Sequence, residues 1–165
     1  MESRVRFLGH PVHQMLVVFP AGLLTTSVVF DIIHLATDNP TMAVVAFYLV
    51  VAGVVAGALA APFGLIDWMA IPRNTRARSI GAMHGGGNAV ALALFIGSAL
   101  LRMEAPQAPA LLPQGLAFVA AGMMLVTAWL GGELVDRLGI GISDEVGVNA
   151  PSSLKARPAV AARAR

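Results

Sequence analysis

Four long apolar blocks confine the charged residues of this chain to short flanking segments. No other feature constrains the fold as much. A hydrocarbon core about 30 Å thick takes about 20 helical residues to cross, and a lipid-exposed segment must satisfy its backbone polar groups within itself. The expectation is therefore all-α: an integral membrane four-helix bundle. Its spans cover about residues 11–35, 42–71, 79–101 and 111–138. Residues 139–165, rich in Gly, Pro, Ser, Ala and Arg, are expected to form a flexible cytoplasmic tail. Composition agrees, because only 12% of the residues are charged, against about 25% in a soluble domain. The mean hydropathy is +0.76.

Local chemistry punctuates the blocks. Pro11 suits a first helical turn, and Pro20 and Pro62 predict kinks inside spans one and two. Thr37 to Thr41 reads as a turn, Pro72 as a stop, and Glu104 to Pro109 as a loop. Arg4 and Arg6 precede the first block as a signal peptide's basic region would. That block runs the length of a full span with no small-residue cleavage site after it, so it is expected to stay. The two helix pairs share no evident sequence motif, which argues against an inverted-repeat transporter.

Orientation follows from Lys and Arg. Arg4, Arg6, Arg73, Arg76, Arg78, Arg137, Lys155, Arg157, Arg163 and Arg165 fall on one side, and only Arg102 on the other. The positive-inside rule places the majority side, with both termini, in the cytoplasm, here of a bacterial inner membrane. These basic residues are topology signals rather than a nucleic-acid footprint. The absence of cysteine excludes a disulfide framework, a cysteine-ligated iron–sulfur cluster and covalent c-type haem attachment in this chain.

Ionisable residues inside a span must face protein, water or a partner. On span one, His10, His13, Val17, Pro20, Leu24, Ser27, Asp31 and His34 recur at steps of three and four and line one helix face. Span two gives Gly53, Gly57, Ala60, Gly64 and Asp67, a small-residue seam suited to close helix packing. Span three gives Gly81, His84, Asn88, Ala91, Phe95 and Ser98, and span four ends on Trp129 and Glu133. His10, His13, Asp67, His84, Asn88 and Glu133 all fall in the cytoplasmic third. Asp31 and His34 form a smaller outer pair, within reach of Arg102. The bland reading of each is a helix cap, an interfacial charge, an arginine partner for Asp67, or an interhelical bond. The eight methionines show no metal-binding spacing.

Several blocks together resemble a bacterial membrane family, domain of unknown function 2231. They are Gly9-His10-Pro11-Val12-His13-Gln14-Met15-Leu16, Phe19-Pro20-Ala21-Gly22-Leu23 with Phe30-Asp31, Gly64-Leu65-Ile66-Asp67-Trp68, His84 with Asn88, and Trp129-Leu130-Gly131-Gly132-Glu133-Leu134-Val135. Related sequences occur joined to Rieske-type and cytochrome c-type domains, so the resemblance implies a redox setting. Relatives often continue Val-Tyr-Arg-His after Gly-Gly-Glu-Leu. Here the segment is Val135-Asp136-Arg137-Leu138, and no ligand carries over from that position.

Three functional expectations follow. The first is a haem b-binding electron-transfer protein or redox-complex subunit. His13 and His84 are the ligands, His10 the substitute, and Gly81, Gly85, Gly86 and Gly87 leave room for the macrocycle. The second is a zinc, iron or copper site of His10, His13, His84, Asp67 and Glu133. In either case Asp67, Asn88 or Glu133 would orient an imidazole from behind. The third is an accessory or scaffolding subunit with no cofactor. With no HExxH-type signature, the chain is expected not to be an enzyme by itself. Its expected partners are lipid, other membrane or redox-complex subunits, or a second copy.

Overall fold

The computed structural model of the protein describes residues 1–154. A short antiparallel pair, β1 (Arg6–Phe7) and β2 (His10–Pro11), leads into the first span. That span is α1 (Val12–Leu16) followed by α2 (Val18–Thr37). Then come α3 (Pro40–Ala70), α4 (Arg76–Arg102), α5 (Leu111–Gly132) and a π-helical turn, Glu133–Arg137. Four helical stretches, residues 12–37, 40–70, 76–102 and 111–137, are long and apolar enough to cross a membrane. The expected all-α membrane bundle is the architecture found.

The boundaries follow local chemistry. Pro20 has no N–H for the Leu16 carbonyl, and the first span divides there, between α1 and α2. Asp38 closes α2 in the left-handed region, with its N–H donating to the His34 carbonyl at 2.8 Å. Asn39 caps α3 through the Thr41 N–H, and Pro40 fills its first turn. Thr75 caps α4 through the Arg78 N–H. Pro62 lies inside α3 without ending it.

Helices α2 and α3 form one close hairpin, and α4 and α5 a second. The ring closes through α3 against α4 and α2 against α5, leaving α2 and α4 diagonal. Leu24, Val50, Ala91, Phe95, Ala117 and Ala120 form the buried core between the hairpins. In the expected small-residue seam, a Cβ on Gly53 would lie 2.5 Å from Leu24 Cγ. Gly57 faces Leu92 and Pro20, so it sits between α2 and α4. The seam packs helices, as its composition predicts.

The two hairpins repeat one another, although they share no evident sequence motif. In the first helices, Leu24, Ser27 and Asp31 are buried, at eleven, fourteen and eighteen residues after His13. Phe95, Ser98 and Arg102 are buried at the same distances after His84. In the second helices, Ala46, Val50, Gly53 and Ala60 are buried in step with Pro113, Ala117, Ala120 and Thr127. The repeat is parallel, not inverted, because both hairpins begin at the same end of the bundle. It is a repeat of burial and contact rather than of residue identity, so comparing residue types does not find it.

The N-terminus and the segment that follows the π-helical turn meet at one end. The Met1 ammonium donates to the Gly139 carbonyl and the Gly141 N–H to the Met1 carbonyl, each at 2.8 Å. Ser143 Oγ and the Asp144 N–H donate to Glu2 Oε1 at 2.9 and 3.3 Å. The tail expected from 139 onward therefore begins as a segment docked on the N-terminus. The remainder of that expectation, residues 155–165, lies outside the described residues.

Candidate functional site: two equivalent imidazoles

His13 leaves α1 and lies on α3. Its Nδ1 donates to the Ala60 carbonyl at 3.1 Å, and its ring covers Gly64, where a Cβ would sit 2.7 Å from Cε1. His84 leaves α4 and lies on α5. Its Nδ1 donates to the Thr127 carbonyl at 2.8 Å, and its ring covers Gly131, where a Cβ would sit 3.0 Å from Cε1. In each hairpin the glycine lies four residues after the accepting carbonyl, one helical turn further along the same face. A side chain at Gly64 would displace its ring, and one at Gly131 would make its ring give by a few tenths of an ångström.

A carbonyl only accepts, so Nδ1 carries the proton in both rings and each Nε2 presents its lone pair. His13 Nε2 has no hydrogen-bond partner among the described residues. His84 Nε2 accepts from Asn88 Nδ2 at 3.3 Å, and Asn88 Oδ1 accepts from Thr127 Oγ1 at 2.7 Å. Thr127 therefore anchors the second imidazole twice, through its own carbonyl and through Asn88. Both rings are half-buried, at the same end of diagonal helices.

The other expected site residues are placed elsewhere. His10 is exposed on β2, with Nε2 3.4 Å from Ser153 Oγ. Asp67 does not back an imidazole, and it pairs with neither Arg73 nor Arg76. Its carboxylate accepts from Ser3 Oγ at 2.6 Å and from the Arg4 N–H at 2.7 Å, holding the segment that leads into α1. Glu133 pairs with Arg76, at the start of α4. Both carboxylates end a second helix and clamp the entry to a first helix, which is why neither reaches a ring. Asn88 alone of the three expected supporting residues contacts a histidine. Among the described residues no group of three or more His, Cys, Asp or Glu is arranged to hold a metal ion.

Two further expectations are corrected. Gly81 and Gly87 do not open space, since a Cβ there would meet Trp68 at 2.7 Å and Thr127 at 2.6 Å. Gly85 and Gly86 are open, but they are exposed on the bundle's outside. Asp31 and His34 do not pair. His34 Nδ1 bonds the Asn39 carbonyl at 3.0 Å, in the turn that ends α2. Asp31 is fully buried against Arg102, accepting from Nη1 at 2.7 Å and Nη2 at 2.8 Å.

Residues 9–144 match a family profile described as "Predicted membrane protein (DUF2231)". The chain belongs to this family. No curated protein and no solved structure matches it. The matched DUF2231 region takes in both hairpins and each residue named above as seating or binding His13 or His84. The motif blocks gain a geometric meaning within it. Gly64 and Gly131 seat the rings, and Asp67 and Glu133 hold the helix entries. Ala60, Thr127 and Ser3 carried no signal as residue types. Equal spacing from each histidine to the buried residues behind it was the clue available.

Proposed function

We propose that this multi-pass DUF2231 membrane protein is a haem b-binding electron-transfer protein or redox-complex subunit of the bacterial inner membrane, with His13 and His84 as the ligands. The single observation behind this reading is the equivalence of the two imidazoles. They come from diagonal helices at one end of the bundle, with Nδ1–H fixed on a backbone carbonyl and Nε2 left as the donor atom. That is the tautomer and support a ligating histidine uses. Bound there, haem would carry single electrons. The donor chemistry fits, and Asn88 would have to give up its contact with His84 Nε2. His10, exposed on β2, is not needed in this reading. The non-haem metal reading draws less support, because the carboxylates are engaged elsewhere.

A second reading, an accessory subunit without a cofactor, is favoured by one specific observation. Each histidine already ties together the two helices of its own hairpin. An absorption spectrum and metal analysis of detergent-purified protein, supplied with haem during expression, separate the readings. A Soret band that is lost in both His13→Ala and His84→Ala supports haem ligation. No band in the wild type, with both variants merely less stable, supports the accessory subunit.

Orientation belongs to the same proposal: both termini face the cytoplasm. Arg102 is the lone basic residue on the other side, and its charge is paired inside the bundle, so it gives no opposing topology signal. The native chain has no cysteine, so single cysteines can be read cleanly. With a membrane-impermeant thiol reagent on intact cells, Asn39→Cys should label and Ser152→Cys should not; the reverse pattern overturns the orientation.

A further inference from the structure

The end of the bundle remote from the termini holds polar groups that its protein contacts leave unsatisfied. Arg102 is fully buried. Its Nη1 and Nη2 donate to Asp31, and Nη2 also donates to the Pro113 carbonyl at 3.2 Å. Ser98 Oγ donates to the same carbonyl at 2.7 Å. Arg102 Nε has no partner among the described residues. Gln114, the next residue of α5, is 1% exposed, and neither Nε2 nor Oε1 has a partner. Exchanging the amide nitrogen and oxygen changes nothing, because both ends are orphaned.

A carboxamide removed from water and bilayer headgroups, with both ends unpaired, is costly, and nearly all such groups in folded proteins find a partner. Position 114 does not demand a polar side chain. The equivalent place in the first hairpin is taken by the apolar Phe47. The unpaired groups are two kinds of N–H donor and one carbonyl acceptor, on Arg102 and on the residue that follows its acceptor Pro113. A guest must both accept and donate. It must also be neutral, because Asp31 already balances the arginine charge. It must be small, because the surrounding residues are buried. We propose that these groups form an internal hydration site: water held between the Gln114 carboxamide and the Arg102 Nε–H. Buried waters make two to four such bonds, which this set supplies. The water completes the hydrogen bonding of an ion pair placed inside a membrane span.

Water-edited solid-state NMR on the full chain in lipid bilayers tests this directly. Magnetisation from water should reach Gln114 Nε2 and Arg102 Nε several-fold faster than the backbone amides of Ala91 and Phe95 in the dry core. Build-up as slow as in that core would overturn the site. Gln114→Leu, which mimics the apolar equivalent, should abolish the fast transfer at Arg102 Nε. Unchanged transfer there would show that the two groups do not share water, and the site as proposed would fail.

Discussion

The two ends of the bundle answer the same geometric question differently. At the end remote from the termini, equivalent positions of the two hairpins hold Asp31 and Arg102, opposite charges that bond across the bundle with no exposure at all. At the termini end, equivalent positions hold His13 and His84, two like groups. Each bonds inward to its own hairpin instead, through Ala60 and Thr127, and His84 binds Asn88 of its own helix as well. A parallel repeat brings equivalent residues to the same level on diagonal helices. Whether they lock together or stay apart depends on whether the repeat is broken or kept. A charge swap breaks it and makes a latch. Two imidazoles keep it, and each binds within its own hairpin.

The largest expected effect lies at the latch. Asp31→Asn or Arg102→Met leaves one charge buried without its partner and should cost about 3–5 kcal/mol. Asp31→Leu with Arg102→Met should recover much of that, because an apolar pair carries no desolvation penalty. Thermal unfolding in detergent measures all three; equal destabilisation by the double variant would show that the pair is more than a latch.

Next come the glycine seats. Gly64→Ala and Gly131→Ala should each cost about 1–3 kcal/mol by overpacking, since the methyl falls on a ring held by its own hydrogen bond. Gly122→Ala, with nothing within 4 Å of its Cβ, should be neutral. If all three behave alike in the same unfolding assay, the rings are not seated as described.

The repeat makes a sharper demand on the histidines. His13→Ala should destabilise the protein by about 1 kcal/mol for its one lost hydrogen bond, and His84→Ala by somewhat more, because the Asn88 contact goes too. A several-fold difference in the two losses would break the equivalence. The smallest effects lie at the helix entries, and there the ends of the second helices should differ. Glu133→Gln removes a pair with the largely exposed Arg76 and should cost under about 1 kcal/mol, falling with salt. Asp67→Asn weakens a carboxylate that accepts from both Ser3 and the Arg4 backbone, and should cost more while showing less salt dependence. Salt titration of the two unfolding midpoints checks the contrast.

Much of the architecture was legible without coordinates. Length and hydropathy give the four spans, because a bilayer admits few other solutions. Helix phase puts Leu24, Ser27 and Asp31 on an inward face, since burial in a helix follows a period of 3.6 residues whatever lies opposite. The same phase brings His13 and His84 inward and allows Asp31 to reach Arg102. Asp67 and Glu133 show where this reasoning ends. Depth and phase place them beside the histidines, but a carboxylate takes the nearest strong donors. Those are the Ser3 hydroxyl and Arg4 backbone N–H in one hairpin and the Arg76 guanidinium in the other, all supplied by segments whose path has no periodicity to read.

The sequence by itself determined four helices long and apolar enough to cross a membrane, and which of their faces turn inward. Only the tertiary structure decided which inward residue meets which. It set Asp31 on Arg102 rather than beside His34, laid each imidazole over a glycine of the neighbouring helix, and joined the N-terminus to residues 139–144. The physical reason is that burial is a property of one helix and its solvent, written along the chain at a fixed period. A contact is a property of two helices, fixed by their rotation and offset. In this chain those were set by a repeat whose halves share spacing but few residue types.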